Sequence, residues 1–295
     1  MKIRCAISPD ADDRFMFRAI ELGLIDTEGL EFAIVARDTE ALNYTASDNA
    51  DPRGPPALTA VSIAHYPAIA ARYQLLNHGG SVGRGYGPVL VARPDRVDAL
   101  RRSLHGARIA VPGVTTTACL TLRLLVGATP EHPVFTPITV PITPPSLTFD
   151  ALNDPAAAID AALIIHEGRL TYRDAGFDLV MDIGERWEAR TALPLPLGGN
   201  VLLRELDPAL RATIDRVVRA SIEHALVRDR EAAIAWLLER PGPLRTRAQV
   251  DTYLSLYANA DTLDYGVDGR EGIRRLLDDG AAAGWLAPCT VDVLC

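Results

Sequence analysis

The sequence predicts an α/β protein in which a second β/α unit is inserted into the first, and three observations carry that prediction. Short apolar runs of strand length, such as Ile3 to Ile7 and Ala161 to Ile165, alternate with longer segments whose apolar residues recur at helical spacing. Two breaker-marked crossings, Arg93-Pro94 and Leu193-Pro-Leu-Pro-Leu-Gly-Gly-Asn200, frame the middle of the chain. From Pro208 to Glu239 the pattern is almost continuously helical, one helix or two joined near Asp229, and reads with the segments after it as a return onto the first unit.

In order, Ile3 to Ile7 is read as a strand, and Ser8-Pro-Asp-Ala-Asp-Asp13 as a turn into a helix whose apolar positions include Phe15, Met16, Ala19 and Ile20. Leu30 to Ala36 is a second strand, and Thr39 to Ala46 a short helix before the breaker-rich loop Asp51 to Pro56. Leu58 to Ile63 is a third strand, Tyr66 to Leu76 a helix, and His78 to Gly87 a glycine-dense loop before the strand Pro88 to Ala92. A helix (Val97 to Leu104) and the strand Arg108 to Val111 open the inserted unit, followed by the turn Pro112 to Thr117 and a helix to about Val126. Thr136 to Pro145 is extended, Phe149 to Ile159 helical, and Ala161 to Ile165 and Phe177 to Ile183 are strands. Helices at about Arg247 to Ala258 and Gly269 to Asp279 close the chain.

Composition excludes several classes. A chain of 295 residues with 48% hydrophobic and 23% charged residues can bury a sizeable core and is neither disordered nor membrane-embedded in character. A net charge of -8 with no Lys/Arg run argues against a nucleic-acid surface. No apolar run reaches the roughly 18 residues of a spanning helix, and the N-terminal apolar stretch is too short for a signal-peptide core, so a cytoplasmic protein is expected. Cys5, Cys119, Cys289 and Cys295 are sparse and lack C-x-x-C spacing, which fits a reducing compartment.

The first candidate for chemistry is His166. It ends the buried-strand pattern, and residues just past the carboxyl end of such a strand line the ligand crevice of an open α/β sheet. Neutral imidazole there can accept a proton near pH 7, or it can simply cap the strand. Thr115-Thr116-Thr117 opens a helix, where hydroxyls and free N–H groups favour a carboxylate or phosphate; a threonine N-cap with water is the alternative. Thr59, Ala60 and Ser62 at the end of the third strand leave room for a ligand at the backbone. Asp10, Asp12 and Asp13 are read as helix capping in preference to a magnesium site. The glycine-dense loop lacks the Lys-Ser/Thr ending of a P-loop and precedes a strand, so nucleotide binding is rejected.

Ser8-Pro-Asp-Ala-Asp-Asp-Arg-Phe15, Gly83-Arg-Gly-Tyr-Gly-Pro88, Pro112-Gly-Val-Thr-Thr-Thr-Ala118, Leu163-Ile-Ile-His-Glu-Gly-Arg169 and Leu195-Pro-Leu-Gly-Gly199 resemble motifs of the menaquinone-biosynthesis family that contains 1,4-dihydroxy-6-naphthoate synthase. With Asn259-Ala-Asp-Thr-Leu-Asp-Tyr-Gly266, the Ile-Ile-His-Glu-Gly segment points to the synthase branch. The resemblance implies a two-lobed type II periplasmic-binding-protein-like fold with a ligand cleft between the lobes: residues 1–93 and 198–295 in lobe 1, 94–197 in lobe 2. It implies a lyase of the futalosine route that converts cyclic dehypoxanthine futalosine to 1,4-dihydroxy-6-naphthoate without a cofactor or a metal. His166 falls on the family's proton-abstracting histidine, and Ala60, Val61, Ser62, Thr116 and Thr117 on its substrate-binding segments. The expected partner is a small-molecule carboxylate, with no nucleic acid and no membrane. One departure stands out: common members carry Ser-Pro-Cys-Pro-Asn-Asp-Thr-Phe, so Asp10, Asp12 and Arg14 change the polarity of the first turn and bear on substrate identity. The alternatives are a non-catalytic small-carboxylate-binding protein of the same fold and a paralogous chorismate dehydratase.

Overall fold

The computed structural model describes residues 1–48, 54–144 and 146–294. The strands are β1 (Lys2–Ile7), β2 (Glu31–Ala36), β3 (Leu58–Ser62), β4 (Tyr73–Leu76), β5 (Ser81–Gly83), β6 (Val89–Ala92), β7 (Arg108–Val111), β8 (Thr136–Thr139), β9 (Ala161–Ile164), β10 (Asp178–Asp182), β11 (Leu195–Leu203) and β12 (Val293–Leu294). They form two sheets. One runs β12-β4-β11-β3-β1-β2, with β5 also pairing β11; the other runs β10-β6-β9-β7-β8. In the first, β1 is parallel to β2 and β3; in the second, β7 is parallel to β8 and β9. Helices cover these parallel strands, so β3, β7 and β9 are almost wholly apolar or small and buried. The fold is a mixed α/β architecture with two sheets, as the sequence predicts.

Among the described residues, no strand between 95 and 190 joins the sheet of β1. The expected boundary after residue 93 nevertheless falls one strand late: Val89–Ala92 pairs with β9 and β10 in the second sheet. Its four residues are all buried, and its apolar side chains are spent on the second core. The return boundary at 198 is also late, because β11 begins at Leu195 and is the longest strand of the first sheet, pairing β3, β4 and β5. Two prolines disguise β11 as a connection. Pro196 is accommodated at a register irregularity against β5, the kind of place where a missing N–H is tolerated.

Tyr66 to Leu76 is not a single helix. Pro67 sits in the first turn of a short helix, Tyr66–Ile69, and the chain then turns into β4, whose four residues are buried between β11 and β12. A short apolar run fits either period, and here sheet pairing decides. The helix expected over Phe149 to Ile159 lies earlier, at Ser146–Asn153, followed by a 3₁₀ turn Pro155–Ala157. A helix at Ile183–Thr191 that the periodicity did not reveal packs Trp187 into the core at the junction of the sheets. The long helical return divides at Asp229: Pro208–Glu223 continues as a π-helical turn, His224–Arg228, and Arg230–Leu238 follows.

Candidate active site

The carboxyl ends of four strands, two from each sheet, converge on one cavity. β1 runs into Ser8-Pro-Asp10, β3 ends at Ser62, β7 runs into the Gly113 to Thr117 turn, and β9 runs into Ile165-His166. The cavity encloses about 730 Å³ of empty space including its open mouth, and its wall includes Ala60, Val61, Ser62, Thr116, Thr117 and His166, together with Asp10, Asp12, Asp13 and Ser81. The structure therefore brings all six sequence-predicted site residues to one cavity.

His166 adopts a left-handed backbone conformation, φ +52°, at the turn between β9 and the helical turn Gly168–Thr171. Left-handed backbone is uncommon for a residue with a side chain and is found where surroundings over-determine it. The bend that carries the ring to the cavity is thus made by His166 itself, and Gly168 opens the helical turn that follows. Across the cleft, His166 Nε2 lies 2.9 Å from Asp10 Oδ2, which also accepts from Ser8 Oγ at 2.8 Å. Burial pushes the imidazolium toward neutrality, but the Asp10 charge and hydrogen bond dominate and raise the ring to about 10. Burial likewise opposes charge on Asp10, yet His166 and the Ser8 hydroxyl hold its carboxyl below the ordinary value.

The neighbouring acids behave oppositely. Burial, with Asp10 and Asp13 beside it, pushes the Asp12 carboxyl well above the usual range. Burial and Asp10 bring Asp13 to about 8, and the same two causes raise Glu167. Capping does not account for Asp10: it occupies the N-cap position of the helix Ala11–Glu21 without any side-chain cap bond. The carboxylate at that helix start is Glu167, whose Oε1 accepts from Ala11 N at 3.0 Å, while Asp13 reaches back to Ser8 N at 2.6 Å. Among the described residues no cluster of His, Cys, Asp and Glu is arranged to hold a metal ion.

The threonine turn is occupied from within. Thr116 caps the helix Thr117–Leu125, accepting from Cys119 N at 3.3 Å while its hydroxyl donates to Gly113 O at 2.7 Å. Thr117 Oγ1 accepts from Ala64 N at 3.1 Å. Glu40, from the helix Thr39–Ser47, lays its carboxylate in the turn and accepts from Thr115 Oγ1 at 2.5 Å and from Thr115 N at 3.3 Å. The Cα of Gly113 is packed so closely against Glu40 that a side chain there would collide with it. Asn43 completes the cross-cleft bridge, donating to Thr115 Oγ1 and Ser62 Oγ and accepting from Ser62 N.

Sequence reasoning missed Glu40, Ser81 and Tyr253 as parts of this region. Ser81 Oγ and Tyr253 OH donate to the two oxygens of Asp12 at 2.6 and 2.8 Å. Ser81 lay in the glycine-dense loop set aside as a poor phosphate cradle; Glu40 and Tyr253 fall on ordinary helix patterns and carried no signal. Arg14, the third altered position, donates to Pro9 O and stiffens the turn. No described helix is long and apolar enough to cross a membrane.

A cleft between two such sheets, with ligand-facing strand ends on both sides, is the arrangement of the periplasmic-binding-protein fold. The alkanesulfonate-binding protein of Xanthomonas axonopodis pv. citri, solved bound to MOPS, shares that fold with a TM-score of 0.62 at 15% identity over 99% of this chain and 98% of that one. The particular family follows from closer matches. The family model described as menaquinone biosynthesis matches residues 3–282, and the chain belongs to that family. It is 34% identical to a 1,4-dihydroxy-6-naphthoate synthase of Thermus thermophilus over 97% of this chain and 96% of the relative. A synthase of the same name from Streptomyces coelicolor is 33% identical over 99% and 97%. A crystal structure of an Archaeoglobus fulgidus protein superposes with a TM-score of 0.83 at 35% identity, covering 97% of this chain and 98% of that one.

Proposed function

We propose that this protein is a lyase of menaquinone biosynthesis that opens and cleaves cyclic dehypoxanthine futalosine to release 1,4-dihydroxy-6-naphthoate, acting in the cytoplasm with His166 as general base. The observation that carries the reading is the Asp10–His166 pair at the mouth of two facing sheets. A carboxylate on one ring nitrogen fixes the tautomer and leaves the other nitrogen to take a proton. In the neutral ring Nε2–H donates to Asp10 and Nδ1 receives the proton of the substrate's carbonyl-activated C–H. The first-turn N–H groups of Thr117 and Ala118, which have no partner within their helix, and the edge Ala60 to Ser62 hold the substrate carboxylate and developing oxyanion. The segments 1–87 and 195–295 act as one lobe and 88–194 as the other. Near-full-length likeness to two synthases supports this chemistry over the dehydratase alternative.

Incubating the protein with cyclic dehypoxanthine futalosine should yield the naphthoate. His166→Asn, which preserves shape, should lower turnover by about 10² to 10⁴, the usual worth of a general base, with product affinity retained. Wild-type turnover in that variant, or no product from the unaltered protein, refutes the reading.

A further inference from the structure

We infer that Asp12 carries a proton at neutral pH and shares it with Asp10, so that one negative charge and not two faces His166, and Asp12 acts as a positioning residue for the base. The inference rests on the reading of His166 as the base and identifies what holds it in place.

The geometry begins with an unbalanced carboxylate. Asp10 Oδ2 is engaged by His166 Nε2 and Ser8 Oγ, whereas Oδ1 is buried and, among the described residues, without a hydrogen-bond donor. A buried acceptor left bare is costly, and buried polar atoms in folded proteins are nearly always paired. The candidate donor lies in the same turn: Asp12, two residues on, is buried beside Asp10 and acts on it as a side-chain hydrogen-bond partner that lowers its carboxyl. An ionised Asp12 could only repel it; a protonated Asp12 supplies the donor. Asp12 is itself 5% exposed, and its two oxygens accept from Tyr253 OH and Ser81 Oγ, which a neutral carboxyl can still do.

Charge counting leads to the same arrangement. The groups around Asp12 are Asp10 and Asp13 on its own turn, His166 and Glu167 from the end of β9, Ser81 from β5, and Tyr253 and Tyr257 from the helix Arg247–Tyr257. His166 is the cation that faces this group; Arg169 is committed to Asp182 at 2.7 Å and to Gly87 O. Two touching carboxylates away from water do not both ionise, and the ion pair with His166 selects Asp10 as the one that does. Burial and the adjacent Asp10 and Asp13 favour the protonated form of Asp12 accordingly. The result is a directed chain in which Ser81 and Tyr253 donate to Asp12, Asp12 donates to Asp10, and Asp10 holds His166.

The test is an NMR titration of the His166 ring in isotope-labelled wild type and in Asp12→Asn. With a shared proton the substitution replaces one neutral donor by another, and the His166 midpoint stays where it was. An ionised Asp12 would be a lost negative charge beside the imidazolium, and a midpoint lowered by about one unit or more would overturn the inference. Infrared difference spectra at pH 7 should show a protonated-carboxyl band in wild type that is diminished in Asp12→Asn; an undiminished band overturns it equally. Asp12→Val, which offers no donor, should lower kcat on cyclic dehypoxanthine futalosine by about tenfold or more with KM little changed, as expected of a misaligned base. An unchanged kcat overturns the positioning role. Should the valine variant fail to fold, the shape-conserving asparagine decides by its titration. Absence of turnover in wild type overturns the functional reading and the positioning role together, whereas a shifted titration overturns the shared proton alone, so the two failures are distinct.

Discussion

Replacing Asp10 by asparagine removes one charge from the contact that sets the base. Asp10 Oδ2 sits 2.9 Å from His166 Nε2 and raises a ring whose ordinary value is 6.5 to about 10 against the opposing effect of burial. With a midpoint near 10, about one ring in a thousand is neutral at pH 7, and kcat/KM, which follows the base of the free enzyme, should climb about tenfold per pH unit toward 10. Asparagine keeps the shape and the Ser8 contact but leaves burial in command, so the ring should return to the ordinary histidine range or below. The ratio of wild-type to variant kcat/KM should therefore rise by about 10³ between pH 7 and 10, read from initial rates of naphthoate release under anaerobic conditions. Superimposable acid limbs in the two proteins would refute the assignment of Asp10. Stability carries the same linkage. His166, raised on folding, contributes fully below about 6.5 and loses its contribution as pH rises through about 10; Asp10, lowered on folding, contributes above its unfolded 3.8 and loses it as pH falls through the lower folded value. The wild-type advantage in melting temperature should thus be greatest between pH 4 and 6.5 and shrink at pH 10.

Asp13, raised to about 8 from 3.8, costs the folded state stability as pH climbs between those values, so Asp13→Asn should gain more in urea melts at pH 8 than at pH 5; an equal gain at both would contradict its assigned protonation. Thr116→Ala should cost about 1 kcal/mol of unfolding free energy through loss of its cap, with no loss meaning that water replaces the hydroxyl freely. Glu40→Ala, which strips the carboxylate from Thr115 N and Oγ1, should cost about 1.5 to 3 kcal/mol, and a loss below half of that would show the cross-cleft bond to be weak in solution.

What could be read from the chain follows from where the physics is local. His166 was legible because an apolar run breaking into His-Glu-Gly marks a strand end in sequence, and Thr116 because a hydroxyl before a helix is a local cap signal. β4 and β11 were not. The first is a four-residue run with no decisive period, and the second carries Pro196 with Pro194 just before it, which argues against a central strand until its irregular pairing with β5 is known. The three aspartates were visible as a pattern but not in their roles, since capping is decided within one turn whereas Asp10 is claimed by a histidine 156 positions away. Glu40 shows the same limit: the turn at Thr115 to Thr117 was recognised as a place for an anion, and only the packing of the Thr39–Ser47 helix reveals that the chain's own carboxylate lies there.

On the two-lobed reading, base setting and cleft closure become one event. Asp10 belongs to the segment of the first sheet and His166 to that of the second, and the same boundary is crossed by Glu167 to Ala11 N, Thr115 to Glu40 and Asn43, and Thr117 to Ala64 N. On that reading, substrate entry parts these contacts. As it does, His166 loses the carboxylate that raised it, and its proton affinity falls back toward that of a solvated imidazole, so the ring releases its proton to water and presents a neutral nitrogen. Closure over the substrate restores Asp10 beside the ring and raises its proton affinity at the moment the acidic C–H is brought within reach. The driving force for abstraction is then supplied by closure itself.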